Sequence, residues 1–177
     1  MKELGTLNGK TFLVTGATSG IGEVTAVELA ALGARVLAAG RSAEKTAAVV
    51  EKIQQAGGQA EAVVADLSSQ AEIRRMAQEV SGRVSQLDGL VNNAGAFFNS
   101  FQRSPDGLEM TFALNHLSYF LLTQLLLEPL KAAPAARIVN VSSMAHMTHR
   151  LDFKDLQMEK AYMGWSAYGR SKLANLY

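Results

Sequence analysis

The sequence predicts an α/β fold in which helices cover both faces of a doubly wound, parallel β-sheet, giving three layers. Two observations predict it. Short apolar runs alternate with longer helical stretches along nearly the whole chain, which is typical of repeated strand–helix–strand units. A glycine-rich turn also joins the first strand to the first helix. The chain of 177 residues is long enough for one domain with a sizeable core, so we expect residues 1–177 to form a single domain.

Five short runs have the length and apolar content of strands: residues 11–15, 35–39, 60–65, 87–91 and 137–141. The second, fourth and fifth runs show little polar alternation, which favours strands that are covered on both faces. Because helical stretches separate successive strands, we expect right-handed crossovers between them, and crossovers of this kind make a parallel sheet.

Helices are expected at residues 20–32, 43–56, 69–84 and about 107–131, with a last helix beginning near Trp165. Gly33, Gly57 and Gly58 stand where helices end, because glycine readily adopts the left-handed conformation of a C-terminal cap. Ser69 and Glu72 have the spacing of a capping box, in which each side chain bonds the backbone N–H of the other residue.

The composition excludes several classes of function. The 17 basic and 16 acidic side chains give a net charge of +1, which leaves no basic field for nucleic acid or an anionic membrane. The chain has no cysteine, so disulfides and thiolate metal sites are excluded, and a cytoplasmic location is expected. His116, His146 and His149 therefore stand without the usual partners of a metal site, and we expect pocket-lining or exposed positions for them.

Membrane insertion is also not expected. Residues 1–10 lack the apolar segment of a signal peptide. The greasiest stretch, residues 117–130, is interrupted by Ser118, Thr123, Gln124, Glu128 and Pro129 and is too short to span a bilayer. We therefore expect no membrane anchor in this segment.

The turn after the first predicted strand reads TGATSGIG and opens a helix. Gly16 permits the sharp turn, while Gly20 and Gly22 let the backbone approach a pyrophosphate and let the helix pack closely on the sheet. The start of the helix offers unpaired N–H groups and the positive end of its dipole to the phosphates. This context favours a Rossmann-type dinucleotide site over a glycine turn without a ligand. The residues assigned to the site are Gly16, Thr18, Ser19, Gly20, Ile21 and Gly22.

Arg41 predicts which cofactor is bound. It stands 19 positions after Gly22 (41 − 22), just beyond the second strand. Sites that prefer NAD usually place an acidic residue near this point to bind the ribose hydroxyls, whereas an arginine suits the 2′-phosphate of NADP. The alternative is an exposed arginine at the entry of the next helix. Since no acid is present, the sequence favours NADP(H) over NAD(H).

Two further segments follow predicted strands and so lie at the sheet edge where such folds bind ligands. Asp66 and Leu67 follow the third strand and could meet the adenine end of the cofactor, although an aspartate here suits a turn or helix cap equally well. Asn93, Ala94 and Gly95 follow the fourth strand. By themselves they would make an ordinary turn.

A candidate reacting pair stands near the end of the chain. Tyr168 and Lys172 are four residues apart and share one face of the predicted helix. A nearby ammonium, aided by the positive charge of an oxidised nicotinamide, favours the phenolate form of a tyrosine. Tyr168 would then accept an alcohol proton during oxidation and donate it during carbonyl reduction, and Lys172 could also hold ribose hydroxyls. Alone, a Tyr-x-x-x-Lys pair is more often ordinary helix surface, so its weight comes from the motifs around it.

Polar residues elsewhere complete the candidate centre. Ser142 and Ser143 end the fifth strand, and because adjacent strand residues face opposite ways, we expect at most one of them to hydrogen-bond the substrate oxygen. Asn115 lies within an apolar helix, where asparagine is a poor helix former. Its residue type fits a satisfied buried amide as well as it fits a catalytic role.

Taken together, the elements TGATSGIG, NNAG, NHL, VSS and Tyr-x-x-x-Lys, in this order, resemble the short-chain dehydrogenase/reductase superfamily from about Lys10 to the end of the chain. The resemblance implies that Tyr168 is the catalytic acid/base and that Lys172 is its partner. It also implies that Ser143 orients the substrate and that Asn115 anchors a water in a proton relay. The implied dinucleotide contacts are Gly16, Ser19, Gly20, Ile21, Arg41, Asp66, Leu67, Asn93 and Ala94.

A narrower resemblance is to the retinol-dehydrogenase-like branch. It is carried by the segments DGLEMTFALNHLSYFLLTQLLL and DLQMEKAYMGWSAYGRSKLANLY and by the gap of 25 positions between Ser143 and Tyr168 (168 − 143). This branch usually prefers NADP, in agreement with Arg41. The resemblance implies an oxidoreductase that acts on a retinol-like or other apolar alcohol or carbonyl compound.

Members of the superfamily continue past the Tyr-Lys helix with two further strands, their helix and a substrate-binding lid. The sequence departs from the superfamily in one large respect, because these elements are absent. We therefore expect an incomplete Rossmann domain, from a longer enzyme, whose fifth strand is an uncovered sheet edge. We expect the 177-residue chain alone to bind the cofactor poorly and to turn over no substrate.

The sequence leaves two alternatives to an enzyme. A catalytically silent cofactor-binding module would have lost Tyr168, Lys172 or Ser143, and all three are intact. The leucine-rich stretch at residues 114–127 is apolar nearly all round and could serve an interaction role. Packing against the sheet, with a dimer face in a homo-oligomer of the full protein, is the preferred interpretation.

Overall fold

The strands lie in the order β3-β2-β1-β4-β5 in the computed structural model of the chain, and every neighbouring pair is parallel. They are β1 (Thr11–Thr15), β2 (Arg35–Gly40), β3 (Gln59–Val64), β4 (Gly89–Asn92) and β5 (Arg137–Asn140). The chain winds outward from β1 to β3, then crosses to the other side of β1 to add β4 and β5. The predicted doubly wound sheet is confirmed. The structure describes residues 6–177, so residues 1–5 of the segment expected to lack a signal peptide lie outside it.

Within residues 6–177, six helices connect the strands and a seventh follows β5. They are α1 (Gly20–Ala31), α2 (Ala43–Gln55), α3 (Gln70–Arg83), α4 (Met110–Phe112), α5 (Ser118–Leu125), α6 (Leu127–Ala132) and α7 (Gly164–Ala174). A π-helical turn at Ala113–Leu117 and a 3-10 helix at Met144–Thr148 complete the helical elements. The predicted bounds of α1, α2 and α3 agree to within one residue. Over residues 6–177, no helix is both long and apolar enough to cross a membrane.

Two cores lie on opposite faces of the sheet and confirm the three layers. One is formed with α3, α5 and α6, and the other with α1 and α2. Adjacent residues of β1 divide between them, since Leu13 belongs to the first core and Val14 to the second. Leu122, Leu126 and Leu130 are buried in the first core. The expected packing of the leucine-rich stretch on the sheet is therefore confirmed.

The glycine caps agree with the sequence at two of three positions. Gly33 follows α1 with φ of 94° and Gly57 follows α2 with φ of 84°, as a left-handed C-terminal cap requires. The prediction is wrong for Gly58, which does not have a positive φ. A side chain at Gly58 would instead come within 2.8 Å of the Ile53 side chain, so this glycine serves close packing.

The capping box before α3 forms only in part. Ser69 Oγ accepts a hydrogen bond from the Glu72 backbone N–H at 3.4 Å. The Glu72 carboxylate bonds Arg75 at 2.8 Å instead of returning to Ser69, and the Ser69 N–H donates to the Asp66 carbonyl at 3.1 Å. The second hydrogen bond of the capping box is therefore missing, because Arg75 engages the Glu72 carboxylate and the Asp66 carbonyl engages the Ser69 N–H.

The single helix expected at about residues 107–131 is wrong as a continuous element. Helical structure starts only at Met110, because the Glu109 carboxylate accepts hydrogen bonds from the N–H groups of Thr111 and Phe112, at 2.7 Å each. The π turn then inserts an extra residue. A second break falls between Leu125 and Leu127, because Pro129 has no N–H to bond the Leu125 carbonyl and suits only the first turn of a new helix.

Strand β5 confirms one expectation and contradicts another. Its four residues are all exposed, with Ile138 at 43% and Val139 at 49%. The expectation of coverage on both faces is wrong for this strand. β5 pairs only with β4 within residues 6–177, so the expectation of an uncovered sheet edge is confirmed.

The start of β1 is fastened by Asp88, whose side chain is 5% exposed. Its carboxylate accepts hydrogen bonds from Lys10 Nζ and from the Thr11 backbone N–H, both at 2.9 Å. Burial alone would raise the pKa of Asp88, but the hydrogen bonds from Lys10 and Thr11 outweigh burial and hold that pKa below its ordinary value.

A lowered pKa at Asp88 predicts pH-dependent stability. The carboxylate stabilises the fold at pH values above its unfolded pKa of about 3.9, and the contribution is lost as pH falls through the lower folded pKa. We expect Asp88→Asn to lower the free energy of unfolding by about 1–3 kcal/mol at neutral pH and by much less in acid. Urea unfolding at both pH values measures this, with Glu128→Gln as the exposed control. An equal loss at both pH values would contradict the assignment.

Candidate active site

One cavity of about 1330 Å³ lies at the carboxyl ends of the strands. There the connection after β1 leads to one side of the sheet and the connection after β4 leads to the other. Ligands bind at this switch point in doubly wound sheets. The volume exceeds the roughly 300–1,000 Å³ of clefts for one small ligand, so the cavity has room for more than one. The predicted residues that line the cavity are Gly16, Thr18, Ser19, Ile21, Arg41, Asp66, Leu67, Asn93, Ala94, Gly95, Ser143, Tyr168 and Lys172.

Three predicted residues, Gly20, Gly22 and Asn115, adjoin the cavity without lining it. Gly20 begins α1 with φ of 56°, and no atom lies within 4 Å of the position of a Cβ. Gly16 has φ of 65°, and a Cβ there would lie 2.8 Å from the Ala94 Cα. A Cβ on Gly22 would overlap the Gly16 carbonyl oxygen. Gly16 and Gly22 therefore permit close packing, while Gly20 leaves the start of α1 open.

Thr15, which the sequence did not predict as a site residue, joins the glycine turn after β1 to the loop after β4. Its buried hydroxyl accepts hydrogen bonds from the N–H groups of Asn93 at 2.9 Å and Ala94 at 3.1 Å. Asn93 Nδ2 returns a bond to the Thr15 carbonyl at 2.9 Å. Asn93 thus fixes the glycine turn through its side chain. The available signal was a threonine directly before Gly16, at the end of a buried strand.

Arg41 and Asp66 lie at the cavity edge formed by β2 and β3. Arg41 is exposed and makes no ion pair within residues 6–177. Asp66 Oδ1 accepts hydrogen bonds from the backbone N–H and the hydroxyl of Ser68 at 2.9 and 2.8 Å. The turn role considered for Asp66 is therefore present, and the carboxylate lies beside the cavity as well.

Tyr168 and Lys172 lie on α7, and both line the cavity. Lys172 is 3% exposed. Its ammonium donates to the Val141 carbonyl at 3.0 Å and lies 5.8 Å from the centroid of the Tyr168 ring. A second ring, Tyr119, lies 5.5 Å from the ammonium. Burial lowers the pKa of Lys172 to about 8. Burial also raises the pKa of Tyr119, and the charge of Tyr168 raises it further.

The two serines after β5 have different partners. The Ser142 hydroxyl donates to the Lys172 carbonyl at 2.7 Å, so its proton is engaged. Ser143 Oγ accepts from the Ala145 N–H at 3.3 Å and caps the 3-10 helix. An oxygen that accepts keeps its own O–H available to donate. Ser143 therefore has the hydroxyl that can bond a ligand.

Asn115 lies in the π turn and is fully buried. Its Oδ1 accepts from the Ala96 N–H at 2.9 Å, and its Nδ2 donates to the Ala96 carbonyl at 3.0 Å and to Ser171 Oγ at 3.1 Å. Both amide protons are thus engaged by protein groups. This side chain joins the segment at Ala96 to α7.

The histidines are engaged separately. His116 Nδ1 lies 3.0 Å from Asn175 Oδ1, His146 Nδ1 lies 2.6 Å from the Ser143 carbonyl and His149 Nδ1 lies 2.7 Å from a carbonyl of the 3-10 helix. In the part of the chain that the structure describes, no group of three or more His, Cys, Asp or Glu side chains could hold a metal ion.

Comparison with known proteins agrees with this geometry, since residues 10–175 match the short chain dehydrogenase family. The chain belongs to this family. Human retinol dehydrogenase 11 is 46% identical over 96% of this chain, and mouse retinol dehydrogenase 12 is 44% identical over 95%. These relatives place the chain in the retinol-dehydrogenase-like branch. The chain spans 54% of the length of each of the two relatives.

Solved structures in the family share the fold. An uncharacterized Mycobacterium paratuberculosis protein, 40% identical, superposes with a TM-score of 0.88 over 98% of this chain and 61% of its own. The Pseudomonas aeruginosa RhlG/NADP complex, 36% identical, gives a TM-score of 0.76 over 96% and 64%. A metagenomic short-chain oxidoreductase in complex with NADP, 32% identical, gives a TM-score of 0.79 over 96% and 73%.

The burial of Lys172 predicts an ammonium that titrates close to neutrality. We expect its side-chain carbon signals in ¹³C-lysine NMR to shift with a midpoint near pH 8, whereas exposed lysines titrate near about 10.4. The signal is assigned by its loss in Lys172→Met. A Lys172 signal that titrates together with those of the exposed lysines would show that the ammonium is solvated.

Proposed function

We propose that the whole protein containing these residues is an NADP-dependent oxidoreductase. It moves a hydride between the nicotinamide and a retinol-like or other apolar alcohol or carbonyl compound, and Tyr168 acts as the acid/base. One observation carries the proposal: a buried Lys172 ammonium lies 5.8 Å from the Tyr168 ring, in the same cavity as the glycine turn. In a short-chain dehydrogenase, this combination of charge and phenol suits proton transfer beside a dinucleotide.

The residues present fit a dinucleotide. The start of α1 is open at Gly20, and its unpaired N–H groups and dipole favour a pyrophosphate. Arg41 lines the cavity with its guanidinium unengaged by any acid of the described chain, as a ligand's 2′-phosphate requires. Related structures include two NADP complexes and one NADH complex, so the choice of NADP over NAD rests on Arg41.

The chain's own groups supply the proton chemistry. When bound, the cofactor gives or takes the hydride. Tyr168 donates its phenolic proton to the carbonyl oxygen in reduction and takes the alcohol proton in oxidation. The Lys172 ammonium stabilises the phenolate. One of its three N–H donors bonds the Val141 carbonyl, which leaves two for ribose hydroxyls.

Two residues have supporting roles in this proposal. The Ser143 hydroxyl donates to the substrate oxygen as negative charge develops on it. Asn115 holds the Ala96 segment against α7 through three hydrogen bonds. The side-chain amide of Asn115 is engaged by protein groups. The water-anchoring role that the resemblance implies for this residue stays a prediction.

The acid/base role is tested by Tyr168→Phe in the whole protein, with benzaldehyde and NADPH as reactants. The ring and its packing stay, while the transferable proton is lost. We expect kcat to fall about 10²- to 10⁴-fold, with NADPH affinity almost unchanged. Tyr177→Phe is the matched control, since Tyr177 is 95% exposed and lies outside the cavity. Unchanged turnover in Tyr168→Phe would remove this residue from its role, whereas NADPH binding without any turnover in the unmodified protein would favour a silent cofactor-binding module.

The cofactor assignment is tested by Arg41→Asp. Loss of the charged hydrogen bonds to the 2′-phosphate should weaken NADPH binding about 10- to 100-fold, while NADH binding is retained or improved. Lys45→Asp is the control, because it changes the net charge equally on the exposed surface of α2. Equal losses for both cofactors, or no loss for NADPH, would show that Arg41 does not read the phosphate.

A further inference from the structure

Tyr119 is a buried phenol that the proposed reaction does not use. It is the second residue of α5, is 3% exposed and does not line the cavity. Its hydroxyl has no hydrogen-bond partner among residues 6–177. Its ring, in contrast, has the Lys172 ammonium over it, 5.5 Å from the ring centroid. The contact with the ammonium is therefore made by the ring and not by the hydroxyl.

The surroundings of the ammonium contain two phenols and no acid. Tyr168, which lines the cavity, has its ring centroid 5.8 Å from Lys172 Nζ. At the end of β5 the Val141 carbonyl accepts a hydrogen bond at 3.0 Å, and in the loop after β4 a Cβ on Gly95 would lie 3.4 Å from Nζ. Within residues 6–177, no carboxylate forms an ion pair with Lys172. Burial raises the pKa of Tyr119, so this second phenol stays neutral beside the ammonium.

Hydrogen bonds between the π turn and α7 hold the Tyr119 ring in place. Asn115 Nδ2 donates to Ser171 Oγ at 3.1 Å, and Asn175 Nδ2 donates to the Asn115 carbonyl at 2.9 Å. Tyr119 follows Asn115 by four positions, and residues at this spacing lie on one side of a helix. Since Asn115 contacts Ser171, Tyr119 meets the next residue of α7, which is Lys172. The register of the two segments thus fixes the ring at the ammonium.

The face of an aromatic ring attracts an ammonium because it carries the negative part of the ring's quadrupole. The attraction is stronger where water is excluded, and Lys172 is only 3% exposed. Burial disfavours the charged form of a lysine, whereas the ring favours it. A ring with a weaker quadrupole should therefore let Lys172 lose its proton at a lower pH.

We propose that Tyr119 is a positioning residue for proton transfer, because the face of its ring holds the Lys172 ammonium, in its charged form, beside the ring of Tyr168. This inference rests on the proposed function, in which the ammonium stabilises the phenolate of Tyr168. Tyr119 itself lies outside the cavity, so it acts on the reaction only through Lys172.

Ring fluorination tests the proposal in the whole protein, because fluorine weakens the quadrupole while the ring nearly keeps its shape. Tyr119→Phe should keep the midpoint of the Lys172 signal in ¹³C-lysine NMR, since the ring remains. One, two and three fluorine atoms on the ring of that variant should lower the midpoint in steps, by about 0.4–1.5 pH units in total. The same fluorine atoms on Phe12, which packs against the core formed with α1 and α2, should leave the midpoint unchanged.

Turnover connects this contact with the reaction. The rate of benzyl alcohol oxidation with NADP⁺, measured near the Lys172 pKa of about 8, should fall along the fluorine series. The reason is that fewer molecules then carry the ammonium that stabilises the phenolate. A constant midpoint along the series, a midpoint that falls fully in Tyr119→Phe, or a falling midpoint with unchanged rates would overturn the proposal. A falling midpoint in a protein that neither oxidises benzyl alcohol nor reduces benzaldehyde would count against the hydride-transfer function and leave the contact of ring and ammonium standing.

Discussion

Two hydrogen bonds of opposite direction join α7 to the end of β5. The Lys172 ammonium donates to the Val141 carbonyl at 3.0 Å, and the Ser142 hydroxyl donates to the Lys172 carbonyl at 2.7 Å. Removing an ammonium from water is unfavourable, and the carbonyl and the rings of Tyr119 and Tyr168 offset part of that penalty. The same bonds fix where α7 lies against the sheet. They thereby determine where the phenol, one turn earlier, meets the cavity.

The side of the cavity that carries the glycine turn depends on a different constraint. The turn after β1 and the loop after β4 approach so closely that Gly16 and Gly22 have no room for side chains. Thr15 and Asn93 exchange backbone and side-chain hydrogen bonds across this contact. This side of the cavity faces α7 because parallel strands all end at one edge of the sheet. The groups proposed to bind phosphate and to transfer protons, which come from distant parts of the chain, therefore share one cavity.

The sequence predicts those features whose causes are local. The strands, the first three helices, the glycine turn and the pairing of Tyr168 with Lys172 all follow from spacing and periodicity over a few residues. The interrupted helix, the part-formed capping box and the exposure of β5 do not, because each depends on a competing partner or a neighbouring element. Thr15 and Glu109 were missed for the same reason: their partners become evident only when the backbone is folded. Asn115 shows the limit of residue type, since its amide is satisfied by segments 19 and 56 positions away.

A crystal structure of the whole protein with NADP⁺ would show whether both sides of the cavity hold one cofactor. We expect a pyrophosphate at the start of α1 beside Gly20 and a nicotinamide ring against the Tyr168 side of the cavity. We also expect ribose hydroxyls within hydrogen-bond distance of Lys172 Nζ. A cofactor bound elsewhere, or one whose nicotinamide end points away from Tyr168 and Lys172, would contradict the proposed hydride-transfer site.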